Sequence, residues 1–165
     1  MYIKDSNTLY TGTDSVFYEN GQKKAETNFK DGKLEGLRRE WHENGQKKAE
    51  ATYKDGKPDG LRVKWYENGQ KEVESNWRDG GIDGLLSLWH DNGQKKAEST
   101  LKDGELNGLA VSWHDNGQKQ LERNWKDDKS DGPLLQWHLN GQKELEGNFK
   151  SGKKDGLGVI WYENG

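Results

Sequence analysis

Histidine is the residue type in this chain best suited to metal binding or proton transfer, and all four histidines stand at equivalent places. They are His42, His90, His114 and His138, and tyrosine takes the same place at Tyr18, Tyr66 and Tyr162. Equivalent residues two strands apart lie roughly 9–10 Å from each other. A zinc ion needs imidazole nitrogens about 2.0–2.1 Å from the metal. We therefore expect exposed rings that are interchangeable with tyrosine, and no metal site.

Hydrolysis is a second chemistry that the residue types suggest. Ser112, His114 and Asp115 have the composition of a catalytic triad. In an extended strand Ser112 and His114 share a face, but Asp115 enters the following turn and cannot orient the ring. The G-x-S-x-G motif is absent from the sequence. We expect no catalytic residue.

Carboxylates offer two further candidate sites. One glutamate recurs with lysine neighbours, at Glu26, Glu50, Glu74, Glu98, Glu122 and Glu146. This regularity indicates solvated sheet residues rather than general acids. Residues 127–131 concentrate three aspartates, but Lys129 stands where a calcium ligand would be needed. We interpret that segment as a diverged turn and expect no cofactor.

An internal repeat explains why the candidates recur. Seven Asn-Gly pairs recur in steps of 24 residues, from Asn20 to Asn164. Three positions before each asparagine is an aromatic residue, which is Phe17 in the first repeat. In the others it is a tryptophan that we expect to form the structural core: Trp41, Trp65, Trp89, Trp113, Trp137 and Trp161. A fixed period of this length is typical of a repeat architecture.

Each repeat contains two segments in which apolar and polar residues alternate. The segment before the Asn-Gly turn is exemplified by residues 61–65, and the segment after it by residues 49–53. Alternation predicts half-buried strands, and connections of about six residues, such as 55–60, are too short for a crossover helix. Neighbouring strands must then be antiparallel. The predicted fold class is all-β, a single elongated, twisted antiparallel sheet of about 13 strands built from tandem 24-residue β-hairpins.

The charges predict a register for these hairpins. A three-residue loop over residues 43–45, with Gly45 in the left-handed bulge position, would pair Arg39 with Ala49. On the other face it would pair opposite charges, namely Glu40 with Lys48, Arg38 with Glu50, Lys64 with Glu72 and Arg62 with Glu74.

The domain organisation follows from the repeat. Residues 1–13 are predicted to form an N-terminal cap. Residues 14–165 are predicted to form one domain of six complete-to-partial repeats and a C-terminal half repeat. The final strand would be an unpaired edge that is available for self-association.

Composition excludes several classes of protein. The net charge is −3 with a pI near 5.9, and both signs are interleaved, which argues against nucleic acid as a partner. No apolar run approaches the roughly 20 residues of a membrane span. Cysteine is absent, which removes disulfides and thiolate chemistry. Residues 1–5 lack the apolar segment of a signal peptide, so we expect a cytoplasmic protein, or a secreted or surface protein if a leader was removed.

One face of the predicted sheet departs from the repeat pattern. Its two central positions in successive repeats are Arg38/Glu40, Arg62/Lys64, Leu86/Leu88, Ala110/Ser112, Leu134/Gln136 and Gly158/Ile160. Charged residues therefore give way to apolar ones along the chain. An exposed apolar patch marks a partner site; the alternative is that the sheet curls and buries this part of the face.

The repeat also resembles a known family. The unit W-Y-E-N-G-Q-K-E-V-E-S-N-W-R-D-G at 65–80 and its copies are similar to the MORN-repeat variant of bacterial YwqK-like antitoxin proteins, from about Leu9 to Gly165. The resemblance implies a repeat scaffold with an antitoxin or immunity role. The Y-x-G-rich consensus of the longer-known MORN repeats, which have been linked to phospholipids, does not stand here.

Together these features predict a non-enzymatic scaffold whose partner is a protein, a toxin in the implied role. The predicted partner-binding residues are Leu86, Leu88, His90, His114, Leu134 and His138, with Arg38, Arg62 and Lys64 steering an acidic partner. A structural or cell-surface spacer is the alternative, and peripheral phospholipid binding is the third reading, although we do not expect a membrane partner.

Overall fold

The computed structural model describes residues 8–164, where the chain forms fourteen β-strands and no helix. The strands are β1 (Gly12–Phe17), β2 (Lys23–Lys30), β3 (Lys33–Trp41), β4 (Lys47–Lys54), β5 (Lys57–Trp65), β6 (Lys71–Arg78), β7 (Gly81–Trp89), β8 (Lys95–Lys102), β9 (Glu105–Trp113), β10 (Lys119–Lys126), β11 (Lys129–Trp137), β12 (Lys143–Lys150), β13 (Lys153–Lys154) and β14 (Val159–Ile160). The predicted all-β class of antiparallel hairpin repeats is confirmed. Residues 1–7 of the predicted cap lie outside the described residues.

The described strands fall into two compact units, of which unit 1 ends at residue 81 and unit 2 begins at residue 82. In unit 1, β1 to β6 pair in chain order, and every pair is antiparallel. In unit 2, β7 to β12 do the same, and β13 and β14 both pair with β12. The last strand is thus divided into two short pieces, which is why fourteen strands are present rather than about thirteen.

The Asn-Gly turns have the predicted loop. Gly45 N donates to His42 O at 3.0 Å, and His42 N donates to Gln46 O at 2.9 Å. Gly45 has φ +83°, a left-handed conformation that glycine adopts without a steric penalty. Asn44 Oδ1 accepts a hydrogen bond from Gln46 N at 2.9 Å. The three-residue loop over residues 43–45 is therefore confirmed.

The predicted strand register is wrong, because a β-bulge follows each of these loops. Trp41 pairs with Lys47, but the next pair is Glu40 with Ala49, which leaves Lys48 as an extra residue. A bulge of this kind shifts the ladder by one position. The charge pairs expected on one face are replaced by these partners: Arg38 opposite Ala51, Arg39 opposite Glu50, Lys64 opposite Val73 and Arg62 opposite Ser75.

The second turn of each repeat is tighter than predicted. The expected six-residue connection at 55–60 is a two-residue turn, Asp55-Gly56, closed by the pair Lys54 and Lys57. Both turn residues have positive φ, +50° and +83°, as in the primed turns that match strand twist. Residues 57–60 belong to β5, and Gly60 (φ +107°) lies where the β4–β5 register shifts.

The corrected register defines two faces in each unit. The ion-pair face carries Glu26, Arg39, Glu50, Val63 and Glu74 in unit 1, and Ser87, Glu98, Val111, Glu122 and Leu135 in unit 2. The variable face carries Thr27, Arg38, Ala51, Arg62 and Ser75 in unit 1, and Leu86, Ser99, Ala110, Arg123 and Leu134 in unit 2. Residues two positions away along a strand share the face of these central residues.

Few side chains are fully buried. Ala51 and Val63, each 7 % exposed, are the buried apolar residues of the described chain, and Ser75, Ser87 and Ser130 are the buried polar ones. The six tryptophans that we predicted as the core are half-buried. Stability must therefore come from many partly covered side chains rather than from a closed interior.

Candidate functional site

The histidine position joins one repeat to the next within each unit. His42 Nε2 donates to the carbonyl oxygen of Trp65 at 3.0 Å. The other histidines make the same bond, His90 to Trp113, His114 to Trp137 and His138 to Trp161, at 3.1–3.3 Å. The Tyr18 hydroxyl donates to Trp41 O at 2.7 Å, so the two residue types do interchange. The rings are half-buried rather than exposed as predicted, and the His42 side chain is only 13 % exposed.

Replacing His42 by phenylalanine should lower the free energy of unfolding by about 1 kcal/mol, because one hydrogen bond to a partly buried carbonyl is lost. Replacing it by tyrosine should cost less than about 0.5 kcal/mol, since Tyr18 makes the same bond in the preceding repeat. Urea unfolding at pH 7 measures both. Equal losses for the two variants would contradict a role for the hydrogen bond.

Each of the predicted catalytic and calcium candidates is engaged in scaffold contacts. Ser112 Oγ bonds to Gln120 Oε1 at 3.2 Å, while His114 bonds to the Trp137 carbonyl. The aspartate carboxylates of residues 127–131 accept from Asn107, from Leu106 N and from Ser151 N. No group of three or more metal-binding side chains that could hold an ion occurs within residues 8–164.

A lysine covers the tryptophan of the following repeat. Lys47 Nζ lies 5.4 Å from the centroid of the Trp65 ring and 2.9 Å from Glu50 Oε2. The equivalent contacts join Lys23 to Trp41, Lys95 to Trp113, Lys119 to Trp137 and Lys143 to Trp161. Each of these lysines also pairs with the glutamate three residues later. The recurring glutamates are thus ion-pair partners in the scaffold.

Arg39 connects two of these ion pairs on the ion-pair face of unit 1. Its Nη1 lies 3.1 Å from Glu26 Oε1, and its Nε lies 3.3 Å from Glu50 Oε2. The pKa of Glu26 is lowered chiefly by the hydrogen bond from Lys23, and the pKa of Glu50 chiefly by the one from Lys47; Arg39 lowers both further. The cations on this face are therefore neutralised by neighbouring carboxylates.

Acid should weaken this network. A glutamate whose pKa is lowered on folding contributes stability that is complete above its unfolded pKa, about 4.3, and that is lost as the pH falls through the lower folded value. We expect the free energy of unfolding to decline below about pH 5. Glu50→Gln should make that decline shallower in urea titrations between pH 7 and pH 3. An unchanged pH dependence in this variant would contradict the assignment.

At each of the two edges formed by turns, one hydrogen bond recurs from turn to turn. Asn44 Nδ2 donates to Glu67 O at 2.8 Å, which joins successive Asn-Gly turns. At the opposite edge Gly56 N donates to Leu34 O, also at 2.8 Å. Equivalent bonds recur within each unit. The residues that are constant from repeat to repeat are therefore the ones that join repeats.

The predicted partner-binding residues occupy two places. Six lie on the variable face and are half-buried: Arg38, Arg62 and Lys64 in unit 1, and Leu86, Leu88 and Leu134 in unit 2. The predicted histidines His90, His114 and His138 instead lie at the Asn-Gly edge, where they bond to backbone. Leu134 also lines a cavity of about 160 Å³ with Leu145, Phe149 and Ile160.

Two features of the surface were missed by sequence reasoning. Leu61, Leu85 and Leu109, which are 42–48 % exposed, lie on the ion-pair face rather than on the variable face. Arg123 lies on the variable face with its guanidinium 4.4 Å from the Trp125 ring centroid. An arginine at a position held elsewhere by small residues was the available signal.

Comparison with known proteins identifies the repeat. The family described as "MORN repeat variant" matches residues 10–31, 34–55, 58–79 and 106–127, which together make up more than half of the chain. No curated protein matches the chain. Within residues 8–164 no helix is long and apolar enough to cross a membrane. The period, the hairpins and the matched segments agree, and the chain belongs to the MORN repeat variant family.

Proposed function

We propose that this protein is a non-enzymatic scaffold that binds another protein through its variable face, as the antitoxin or immunity partner of a bacterial toxin. MORN repeats form scaffolds that often bind membranes or proteins. Binding without chemistry fits a chain whose histidines and recurring glutamates are engaged in joining repeats. The mechanism would be steric occlusion of the partner's active surface.

The observation that carries the proposal is a contrast between two repeat positions. The position of Glu50 is glutamate in six successive repeats, and its side chain pairs with a lysine of the same strand. The position of Arg38 on the variable face reads Arg38, Arg62, Leu86, Ala110 and Leu134. A scaffold contact demands the same residue in every repeat, whereas contact with one irregular partner demands different residues. The variable face thus has the pattern of a recognition surface.

The chemistry of the face differs between the units. In unit 1 its central arginines and Lys64 offer positive charge, which accelerates association with an acidic partner. In unit 2 Leu86, Leu88 and Leu134 offer apolar surface, which an interface would bury as anchors. Each leucine is half-buried before binding.

The test uses a matched pair of variants. The double variant Leu86→Glu, Leu88→Glu places charge on the variable face. Leu85→Glu places charge on the opposite face of the same strand, where Leu85 is 42 % exposed. The probe is the protein encoded beside this gene, co-expressed and measured by growth and by calorimetry of the purified pair. We expect the wild type and Leu85→Glu to bind and to restore growth, and the double variant to do neither.

Far-UV circular dichroism of the double variant controls for folding. Retained binding by a folded double variant would overturn the proposed site. The antitoxin role would be overturned if the wild type did not bind the neighbouring protein and if cells expressing the neighbouring protein alone grew normally.

A further inference from the structure

The lysines near the Asn-Gly turns of unit 1 are neutralised on one face and not on the other. On the ion-pair face, Lys23 and Lys47 each pair with a glutamate. On the variable side, Lys24, Lys48 and Lys64 form no ion pair with any residue in 8–164. Because the chain as a whole is acidic, this local excess of positive charge is a specific feature of unit 1.

Two of these lysines line a common cavity. Lys24, Lys48 and Arg38 surround a space of about 220 Å³ whose one carboxylate is Glu40. Glu40 Oε1 is already paired with Arg38 Nη2 at 2.7 Å. The Arg38 Nε is buried without a hydrogen-bond partner among the described residues. The cavity therefore carries three cations against one paired anion.

The spacing of the lysines selects a ligand shape. Lys24 and Lys48 are the extra residues of equivalent bulges two strands apart, which corresponds to roughly 9–10 Å. A polyproline II helix has three residues per turn and rises 3.1 Å per residue, so every third side chain points the same way at about 9.3 Å intervals. Aromatic side chains line grooves that bind such helices. Tyr18 lines this cavity, and its ring centroid lies 5.2 Å from the Lys24 Nζ.

We propose that unit 1 binds an acidic polyproline II segment of the protein partner, with two carboxylates three residues apart reaching Lys24 and Lys48. This inference rests on the proposed function, because it names the chemistry of the partner at the same face. The row ends after two lysines, since Glu72 takes their place in the next hairpin. A flat anionic membrane fits less well, because it would also meet Glu40 in the cavity and Glu43 in the adjoining hollow.

The experiment uses two labelled peptides of one composition and the intact protein. The first is Pro-Pro-Glu-Pro-Pro-Glu-Pro-Pro, and the second has its two glutamates adjacent. Fluorescence anisotropy at low ionic strength, where screening is weak, should show the spaced peptide binding at least roughly fivefold more tightly. Lys24→Gln with Lys48→Gln should abolish this preference. Lys96→Gln, the equivalent position in unit 2, should leave it unchanged.

A gain-of-function variant makes the test sharper. Glu72→Lys extends the lysine row by one repeat and should tighten binding of a peptide with three glutamates at the same spacing. Equal binding of the spaced and adjacent peptides, or an equal effect of Lys96→Gln, would overturn the proposal. Binding to phosphatidylserine vesicles in place of the peptide would overturn it as well.

The outcomes separate this inference from the proposed function. In one outcome the wild type binds the neighbouring protein, the Leu86→Glu, Leu88→Glu variant does not, and the spaced and adjacent peptides bind equally. The inference then fails and the proposed function stands. If the spaced peptide binds through Lys24 and Lys48 but the neighbouring protein does not bind, the peptide chemistry is supported and the antitoxin role fails.

Discussion

Replacing Trp65 by alanine should lower the free energy of unfolding by about 2–3 kcal/mol. Truncating a buried tryptophan costs about 3–5 kcal/mol, and Trp65 is half-buried, which places it below that range. The variant also loses the contact between the Lys47 ammonium and the indole ring, which is worth about 0.5–1 kcal/mol at exposed sites. Urea unfolding followed by far-UV circular dichroism measures the loss.

The matched control is Phe17→Ala, at the same repeat position. Phe17 is 57 % exposed, so its truncation should cost less than about 1 kcal/mol. If Phe17→Ala lowered the free energy of unfolding as much as Trp65→Ala does, the cover that Lys47 provides over the Trp65 ring would contribute nothing to stability. Because the Trp65 carbonyl remains in the variant, the bond from His42 should persist, and the His42→Phe effect should still be measurable in the Trp65→Ala background.

Replacing Arg123 by alanine should be comparably destabilising, by about 2–3 kcal/mol. Its guanidinium lies between two rings, 4.4 Å from the Trp125 centroid and 5.2 Å from the Phe149 centroid, and each contact contributes about 0.5–2 kcal/mol. Its Nε donates to Ser130 Oγ at 2.8 Å. Ser130 is only 2 % exposed, so its hydroxyl would lose a partner where water does not readily replace it. Thermal and urea unfolding both report the effect.

Arg62→Ala is the control for this prediction. Arg62 lies on the same face of unit 1 but stacks on one ring, Trp77, at 5.5 Å, and we expect a loss of about 1 kcal/mol. Arg123→Lys keeps the charge but not the planar group, and it should recover less than half of the stability lost in Arg123→Ala. Full recovery by lysine would mean that charge alone, rather than stacking, accounts for the contribution of Arg123.

The loop and the register of the hairpin show how far the sequence could be interpreted. Opposite charges across the hairpin predicted the three-residue loop over residues 43–45, with Gly45 in the left-handed bulge position, and that loop is present. The bulge at Lys48 left no comparable signal. The predicted pair of Glu40 with Lys48 joins opposite charges, so the charges gave no reason to reject it. The bulge adds one residue to one strand, and every later residue of that strand therefore has a different partner.

The histidine position shows a signal that was present but not used. Both histidine and tyrosine occur there, and both carry a ring with a hydrogen-bond donor at its far end. Two residue types that share one donor geometry indicate a fixed acceptor, which the structure supplies as the tryptophan carbonyl of the next repeat. Arg123 could be singled out as an exception to the repeat, but its two aromatic neighbours come from different strands and were not apparent from the sequence.

The bonds between repeats have a consequence for how such a gene can evolve. The contacts from Tyr18, His42 and Asn44 each join residues 23 positions apart, and equivalent contacts recur within both units. Recombination that removes or adds 24 codons would therefore leave every such bond with a partner, whereas a change of any other length would not. Lineages could exchange whole repeats as cassettes, altering the variable face in blocks while the scaffold stays intact.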